Sequence, residues 1–393
     1  MTWLQYCFQA EMHDETQERR HNREGWSASD AQQHHYNTMK LALLWALVLQ
    51  TLVLQDVVTG FLTFPTVAVH HEVGTLRETR TAASLASSFS SSSSSLSLSL
   101  SKDDTDDVPP LPQLVVLIPA YNEQDRIVET LETYSTFLKS SSRWKDCSRI
   151  VVVDDGSADQ TVTVVQNTAM HLPIPTTCVS MPVNGGKGAA LAFGMDDIAR
   201  SVQEGKEEDL QNNPRATIIL TTDADGSAPP EGIDAMYDCL MSYFVKADSN
   251  SEDTSWMNFL SQQPAVVAGY RTYQSASPFR LIFRWGFRTA VRAVCGDLGV
   301  QDSQCGFKLL TIPAATRLYR NLNIPGWSHD VEVLYRAREL GVPVMEQETE
   351  WEDKDGSKLL ATPGGVLAVV VKMAQEIVRL REGYEEGGWK LPT

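Results

Sequence analysis

The chain has 393 residues and is acidic, with 50 Asp and Glu against 33 Lys and Arg and a formal net charge of -17. Proteins that bind nucleic acid need a basic surface, so this charge argues against nucleic acid as a partner. The length allows one large domain with additional segments. The six cysteines include no CxxC pair and no zinc-like spacing, which indicates buried thiols in a reducing compartment.

The N-terminal third of the chain is predicted to lie outside the folded domain. Residues 1–38 are polar and show no apolar helical period, which predicts a disordered leader. Residues 39–64 are apolar, but they reach membrane-spanning length only if three polar residues are included. We expect a membrane anchor here; the alternatives are a cleaved signal peptide that begins at Met39 and a peripheral hairpin. Residues 65–113 contain a serine and leucine run and are predicted to be a low-complexity linker.

From residue 114 to residue 362, apolar runs alternate with helical patterns, and this segment is predicted to be the catalytic domain. The predicted strands are Leu114–Ile118, Arg149–Val153, Thr177–Met181, Thr217–Thr221 and Ala265–Gly269. The predicted helices cover about 123–139, 159–171, 187–199 and 231–245, and the polar stretches 201–214 and 247–263 are predicted to be surface loops. Such alternation is typical of an α/β fold with a mostly parallel central sheet.

Two further helices are predicted towards the C-terminus. Residues 279–296 form an apolar helical pattern that contains four arginines. Such a helix would bind an anionic group or place its arginines at a membrane surface. Residues 366–381 place apolar side chains on one face with basic residues beside it, so we interpret 363–393 as an amphipathic, interfacial helix and tail. The alternative is a helix that covers the protein core.

Two of the predicted strands end in a pair of carboxylates followed by a glycine. Asp154 and Asp155 follow the second strand, and Asp223 and Asp225 follow the fourth. The carboxyl ends of parallel strands form the ligand-binding edge of an open α/β sheet. Asp223 and Asp225 are separated by one residue, so both can point to one hard divalent cation that holds a diphosphate. For Asp155, the alternative is a turn that caps the next helix.

Other polar groups are predicted at the same edge. Pro119, Tyr121 and Glu123 follow the first strand. The segment 184–188, Asn-Gly-Gly-Lys-Gly, lacks the spacing of a Walker loop, but its backbone N–H groups are placed to approach an anion, with Lys187 adding a charge. A second anionic group has three candidate cations, which are Arg271, Arg280 and Lys308.

Eight segments together resemble one known family. They are IPAYNE, VVVDDGSADQT, NGGKGAA, TTDADGS, GYR, DSQCGFKLL, WSHDVEVLY and WEDKDGSKL. In this order, over about 114–362, they resemble the dolichyl-phosphate β-glucosyltransferases, which are membrane-anchored inverting glycosyltransferases with a GT-A-type fold. The segments QCGFK, HDVEVLY and DGSKL resemble this glucosyl branch more than its mannosyl relatives.

The resemblance implies transfer of glucose from UDP-glucose to dolichyl phosphate with inversion, assisted by Mg²⁺ or Mn²⁺. It implies nucleotide contacts at Pro119, Tyr121, Glu123, Asp154, Asp155, Lys187 and Asp223, metal binding at Asp223 and Asp225, and catalytic roles for Asp225, Arg271 and Arg280. It also implies a single-pass protein of the endoplasmic reticulum membrane, in contact with lipid, whose catalytic domain faces the cytosol. The family usually has an arginine where Gly185 stands.

Two alternative functions and one conflicting observation accompany this interpretation. The chain would otherwise use GDP-mannose in the same reaction, or bind a nucleotide sugar at the membrane without catalysis. The basic residues near the predicted anchor precede it, which by the positive-inside rule favours a cytosolic N-terminus and a lumenal catalytic domain. Most of this bias disappears if translation starts at Met39. We therefore expect the cytosolic orientation that the family resemblance implies.

Overall fold

The computed structural model describes residues 111–204, 216–247, 256–272, 278–352, 354 and 365–392. Within these ranges the side chains at 257, 278–285, 365–368, 370 and 371 are not described. The predicted leader and anchor, and the predicted linker up to residue 110, lie outside the described residues. No helix in the described ranges is both long enough and apolar enough to cross a lipid bilayer.

Seven strands form one sheet in the described part of the chain, in the order β3-β2-β1-β4-β6-β5-β7. They are β1 (Gln113–Ala120), β2 (Ser148–Asp154), β3 (Thr176–Ser180), β4 (Thr217–Thr221), β5 (Val266–Thr272), β6 (Lys308–Thr311) and β7 (Val344–Glu350). β1 pairs in parallel with β2 and β4, β2 with β3, and β5 with β7. β6 lies between β4 and β5 and is antiparallel to both. The prediction of a mostly parallel sheet is confirmed.

The helices in chain order cover both faces of this sheet. They are α1 (Ile127–Ser140), α2 (Thr161–Ala169), α3 (Lys187–Gln203), α4 (Gly232–Ala247), α5 (Trp256–Gln262), α6 (Pro278–Cys295), α7 (Ile312–Tyr319), α8 (His329–Glu339) and α9 (Gly365–Glu385). Residues of α1, α4 and α5 pack on one face of the sheet, and residues of α3, α7 and α8 pack on the other. Because β1 is covered on both faces, its apolar run is continuous.

The five predicted strands are confirmed, with boundaries that differ by no more than three residues. The loop prediction for 247–263 is wrong over α5, and that for 201–214 is wrong over the last turn of α3, which extends to Gln203. The first helix begins at Ile127 and not near residue 123. Residues 124–126 instead form a turn, in which the N–H groups of Arg126 and Ile127 donate to the Glu123 carbonyl and Arg126 has non-helical backbone angles (φ -123°, ψ -31°).

The C-terminal helix α9 contributes to a third apolar cluster. Among its described side chains, Met373, Ile377 and Leu380 are buried together with residues of α6 and α8. A helix that lies at a membrane surface needs this face exposed. The described part of α9 therefore covers the core, which agrees with the alternative interpretation and not with an interfacial helix.

Candidate active site

The loops that follow β1 and β2 are joined by hydrogen bonds at one edge of the sheet. The Asn122 N–H donates to Ser157 Oγ at 2.8 Å, and the Ala158 N–H donates to Asn122 Oδ1 at 2.8 Å. The Glu123 N–H donates to Thr161 Oγ1 at 2.7 Å. The prediction that both loops share this edge is confirmed, with Pro119 at the end of β1 and Tyr121 partly exposed beside it.

Asp154 and Asp155 are both buried and both accept hydrogen bonds from the backbone. Asp154 accepts from the Ser157 N–H, which forms the turn given above as the alternative for its neighbour. The two oxygens of Asp155 accept from the N–H groups of Gly185 and Gly186, at 2.7 Å and 2.9 Å. Burial raises the pKa of Asp155, although these two hydrogen bonds act in the opposite direction. Asp155 therefore fixes the loop before α3, and contact of either carboxylate with a nucleotide stays a prediction.

The glycine loop before α3 has protein partners for most of its N–H groups. Besides the two N–H groups bound to Asp155, those of Gly188 and Ala189 donate to the Pro325 carbonyl at 2.8 Å and 3.3 Å. In this structure the anion that the backbone approaches is the protein's own Asp155 carboxylate, and binding of a ligand anion by this loop stays a prediction. The predicted cationic group in this loop is Lys187, whose side chain is 20% exposed.

Asp223 and Asp225 lie in the turn after β4, where the sequence places the metal-binding pair. Their side chains are 25% and 28% exposed. Asp223 Oδ1 lies 2.6 Å from Lys187 Nζ, so the glycine loop and the β4 turn meet through an ion pair. Asp225 Oδ1 accepts a hydrogen bond from the Ser227 N–H at 3.0 Å. Both carboxylates thus remain within reach of a ligand from solvent.

Two side chains of helix α1 donate hydrogen bonds to backbone carbonyls in the turn after β4. Thr130 Oγ1 donates to the Ala224 carbonyl at 2.8 Å, and the Tyr134 hydroxyl donates to the Ala228 carbonyl at 2.7 Å. Both side chains are buried. A buried backbone carbonyl that loses its hydrogen-bond donor costs free energy, so these two bonds fix the turn relative to α1.

Arg126 is a site residue that the sequence analysis missed. It donates two hydrogen bonds to the Glu123 carboxylate at 2.7 Å and 2.8 Å, and its Nη1 lies 3.9 Å from Asp225 Oδ2. It thereby connects the β1 loop with the β4 turn. The available signal was an arginine three residues after a glutamate, but the approach to Asp225 is visible only in the fold.

Asp223 and Asp225 suit a divalent cation that also binds the substrate. Carboxylate oxygens are the donors that Mg²⁺ and Mn²⁺ prefer, and Mg²⁺ commonly uses one or two carboxylates together with water and phosphate oxygens. No group of three or more His, Cys, Asp or Glu side chains with metal-binding placement occurs in the described ranges. Two partly exposed carboxylates therefore fit an open site, which a diphosphate would complete.

The loop 302–306 closes one side of the Asp223–Lys187 pair. A Cβ atom added to Gly306 would lie 2.8 Å from Asp223 Oδ1 and 3.1 Å from Lys187 Nζ. The Gly306 carbonyl is fixed by a hydrogen bond from Thr221 Oγ1 at 2.7 Å. A side chain at this position would therefore require Asp223 or Lys187 to shift.

Arg271, one of the three cations predicted to bind a second anionic group, lies at the end of β5 and forms an ion pair. Its Nε and Nη2 donate to the Asp302 carboxylate at 2.6 Å and 2.9 Å, and its guanidinium lies 5.1 Å from the ring centre of Trp351. Asp302 is buried, so the guanidinium is held in one orientation. Arg280 lies in the first turn of α6, and its side chain is outside the described atoms.

Lys308 is not available to a phosphate, which corrects its selection as a third candidate. It is fully buried in β6 and donates to the Cys305 carbonyl and to Asp330, the latter at 2.5 Å. Burial alone would raise the pKa of Asp330, but His329, Lys308 and Lys187 lower it to about 2. The pKa of His329 is lowered, chiefly because the ring is buried. The buried ion pair of Lys308 and Asp330 therefore lies on the protein side of the partly exposed pair of Asp223 and Lys187.

Comparison with known proteins identifies the family to which the chain is similar. Residues 115–245 match the model of glycosyl transferase family 2. A dolichyl-phosphate beta-glucosyltransferase of Dictyostelium discoideum is 31% identical over 71% of this chain and 77% of its own length. One of Trichomonas vaginalis is 30% identical over 71% of this chain and 76% of its own length. The crystal structure of glucosyl-3-phosphoglycerate synthase from Mycobacterium tuberculosis in complex with phosphoglyceric acid is 17% identical, covers 69% of this chain and 80% of that one, and gives a TM-score of 0.44, too low to carry an argument.

The family-2 match covers β1 to α4, which carry the loops of the site. Together with the mostly parallel sheet and the two aspartates after β4, it defines a glycosyltransferase with a GT-A-type fold, as the sequence predicts. Within that class, the chain belongs to the dolichyl-phosphate β-glucosyltransferase family.

Proposed function

We propose that this chain transfers glucose from UDP-glucose to dolichyl phosphate with inversion, giving dolichyl β-D-glucosyl phosphate. Membership of the family supports the glucosyl transfer and the lipid acceptor. The observation that carries the proposal is the pair of Asp223 and Asp225 beside Lys187, because two carboxylates and one cation suit a metal-bound diphosphate. The choice of UDP-glucose as donor rests on the resemblance of the sequence to the glucosyl branch.

The proposed site includes a divalent cation, Mg²⁺ or Mn²⁺, held by Asp223 and Asp225. When bound, this cation would neutralise the negative charge that develops on the departing diphosphate. Arg126 and the hydrogen bonds from α1 keep the two carboxylates in place. Lys187 supplies a positive charge from the opposite loop.

The reaction is a single displacement at the anomeric carbon. An oxygen of the acceptor phosphate attacks from the face opposite UDP, and the electron pair of the broken C–O bond leaves with UDP. A phosphate monoester has its second pKa at about 6, so the nucleophile is already ionised near neutral pH. The protein therefore needs no strong general base, and its main task is to position two anionic groups.

Arg271 is the side chain we propose for the acceptor phosphate. Asp302 and Trp351 hold its guanidinium in one plane. A planar guanidinium fixed in advance suits phosphate oxygens and loses little side-chain entropy when it binds them. We include Arg280 in the same proposal on the resemblance alone.

The test is glucosyl transfer by the full chain in detergent. Dolichyl phosphate is supplied with UDP-glucose or GDP-mannose, with and without a chelator. We expect transfer only from UDP-glucose, its loss with chelator, and a decrease of at least about 100-fold in Asp225→Asn, as for removal of one group that stabilises transition-state charge. The matched control is Asp238→Asn, since Asp238 is an exposed aspartate that pairs only with Arg143 among its described contacts.

The outcomes separate the alternatives. Transfer from GDP-mannose would assign the chain to the mannosyl reaction. Binding of UDP-glucose without transfer, under conditions in which a related enzyme is active, would favour a nucleotide-sugar-binding protein. Full activity of Asp225→Asn would contradict the role given to the β4 turn.

We further propose that the catalytic domain faces the cytosol from the endoplasmic reticulum membrane, anchored by residues 39–64. The sequence contains no N-x-S/T glycosylation site, which agrees with a domain on the cytosolic side. The five cysteines in the described ranges are free thiols, which agrees with a reducing compartment. Protease treatment of sealed microsomes should digest the catalytic domain. Protection of the domain until detergent is added would place it in the lumen.

A further inference from the structure

We propose that the Lys187 ammonium group pairs with the Asp223 carboxylate in the empty enzyme. It moves to the donor diphosphate when metal and nucleotide bind together. Lys187 thus acts as a positioning residue that makes metal binding depend on the nucleotide. This inference rests on the proposed function, since it concerns the same site. It assigns to Lys187 two successive anionic partners.

The first observation is the competition for one carboxylate. Lys187 Nζ lies 2.6 Å from Asp223 Oδ1, which is an oxygen that a divalent cation would need. A metal ion and an ammonium group cannot share this position, because their charges repel and their ligand distances overlap. A metal that binds Oδ1 of Asp223 therefore displaces Lys187, and one that binds the second oxygen of this carboxylate would be repelled by the nearby ammonium group.

The second observation is that the ion pair is confined on one side and open on another. The backbone of Gly306 lies so close to both partners that an added Cβ atom would meet each of them. Both side chains are nevertheless partly exposed, at 20% and 25%. Lys187 can therefore move towards solvent, which is the side from which a nucleotide enters.

The third observation is the local balance of charge. Glu123, Asp223 and Asp225 are joined through ion pairs to two cations, Arg126 and Lys187. This cluster carries one net negative charge, so a divalent cation alone would leave it positive and Lys187 without its partner. A diphosphate that arrives with the metal returns negative charge and gives the ammonium group a new acceptor.

The consequence is a reciprocal coupling between the two ligands. A metal that binds alone displaces Lys187 at a cost, whereas a metal that binds with a diphosphate does not. By thermodynamic linkage, UDP then raises the affinity for the metal by the same factor by which the metal raises the affinity for UDP.

The experiment measures Mn²⁺ binding directly, without turnover. The full chain in detergent is titrated with Mn²⁺, and free Mn²⁺ is measured by electron paramagnetic resonance in the absence and presence of saturating UDP. The variant is Lys187→Met, which keeps the length of the side chain and removes the charge. The matched control is Lys139→Met, at an exposed position in the last turn of α1.

We expect Lys187→Met to bind Mn²⁺ alone at least about tenfold more tightly than the unmodified chain, a factor equal to about 1.4 kcal/mol. In this variant, the increase in Mn²⁺ affinity caused by UDP should be at least about tenfold smaller. Lys139→Met should match the unmodified chain.

Two results would overturn the inference by itself. One is that Mn²⁺ alone binds Lys187→Met no more tightly, although Mn²⁺ with UDP binds the unmodified chain. The other is weaker UDP binding in the variant with an unchanged affinity for Mn²⁺ alone, which would make Lys187 a static phosphate ligand. If the unmodified chain binds no Mn²⁺ even with UDP, the proposed function fails together with the inference.

Discussion

Arg336 is a fully buried arginine on α8 that connects three parts of the chain, and its loss should be severe. Its guanidinium donates to Glu332 at 2.7 Å and to the Tyr384 hydroxyl of α9 at 2.7 Å. It also donates to the carbonyls of Leu318, Arg320 and Asn321. Glu332 is itself fully buried and accepts hydrogen bonds from Asn323 and Ile324, which precede the Pro325 carbonyl that binds the glycine loop. One side chain thus joins α8, α9 and the segment after α7.

The loss of unfolding free energy in Arg336→Met is estimated from the buried groups that lose a hydrogen-bond partner. Removing one partner of a buried ion pair costs about 3–5 kcal/mol, because the other charge is left without compensation. The carbonyls of Arg320 and Asn321 belong to exposed residues and can bind water, so we add nothing for them. The buried Leu318 carbonyl loses its donor, whereas the Glu332 carboxylate keeps its hydrogen bonds to Asn323 and Ile324. We therefore expect a loss of unfolding free energy of about 3–5 kcal/mol.

The assay is urea unfolding of the full chain in detergent, followed by tryptophan fluorescence. The control is Arg200→Met, since Arg200 is more than half exposed and pairs with Asp196 on the surface of α3. Such an exposed pair is screened by solvent and contributes little to stability. A loss below about 1 kcal/mol for Arg336→Met, or a loss equal to that of the control, would refute the reasoning from burial.

Three further predictions concern the loops around the site. Gly188→Ala would place a Cβ atom 2.5 Å from the Cβ of His329, so we expect a loss of about 1–3 kcal/mol in urea unfolding, and an unchanged stability would contradict the close packing. Asp155→Asn replaces one of the two acceptors for the N–H groups of Gly185 and Gly186 by a donor, so we expect about 2–4 kcal/mol less stability and faster hydrogen exchange in that loop. The pKa of His329 in the folded chain lies below its ordinary value, so the unfolded chain binds a proton at this residue at a higher pH than the folded chain does. Neutral His329 therefore contributes its full stability above about pH 6.5, and this contribution decreases at lower pH by at most about 1.4 kcal/mol per pH unit. Unfolding at pH 7.5 and 5.5 should therefore show a smaller pH effect in His329→Gln; equal effects would refute this assignment.

The predictable part of the fold was the part encoded by local pattern. Four of the first five strands contain apolar runs long enough to predict directly, whereas β3 is mixed in sequence. Two of these four, β2 and β4, lead into the acids that mark the site. β6 has four residues and begins with a buried lysine, and β7 is rich in glutamate, so neither resembles a core strand in sequence. Their identity as strands depends on neighbours far away in the chain.

The same distinction applies within the site. The positions of Asp223 and Asp225 follow from strand-end geometry, which is a local property. The partners of Asp155 and Asp223 do not, since the glycine loop that binds both lies at least 30 residues from either one. The sequence could name the charged groups at this edge, but only the fold shows which of them already neutralise each other.

The antiparallel strand between β4 and β5 also has a consequence for synthesis of the protein on the ribosome. β4 ends at Thr221, and its neighbour on that side is completed only at Thr311. At about 5–20 residues per second, these intervening residues take roughly 5–20 s to add. During this interval the new chain carries an unpaired strand edge beside the acidic turn, and such an edge can pair with other chains. The nascent protein is thus prone to aggregation after its first four strands have been made and before its sheet is complete.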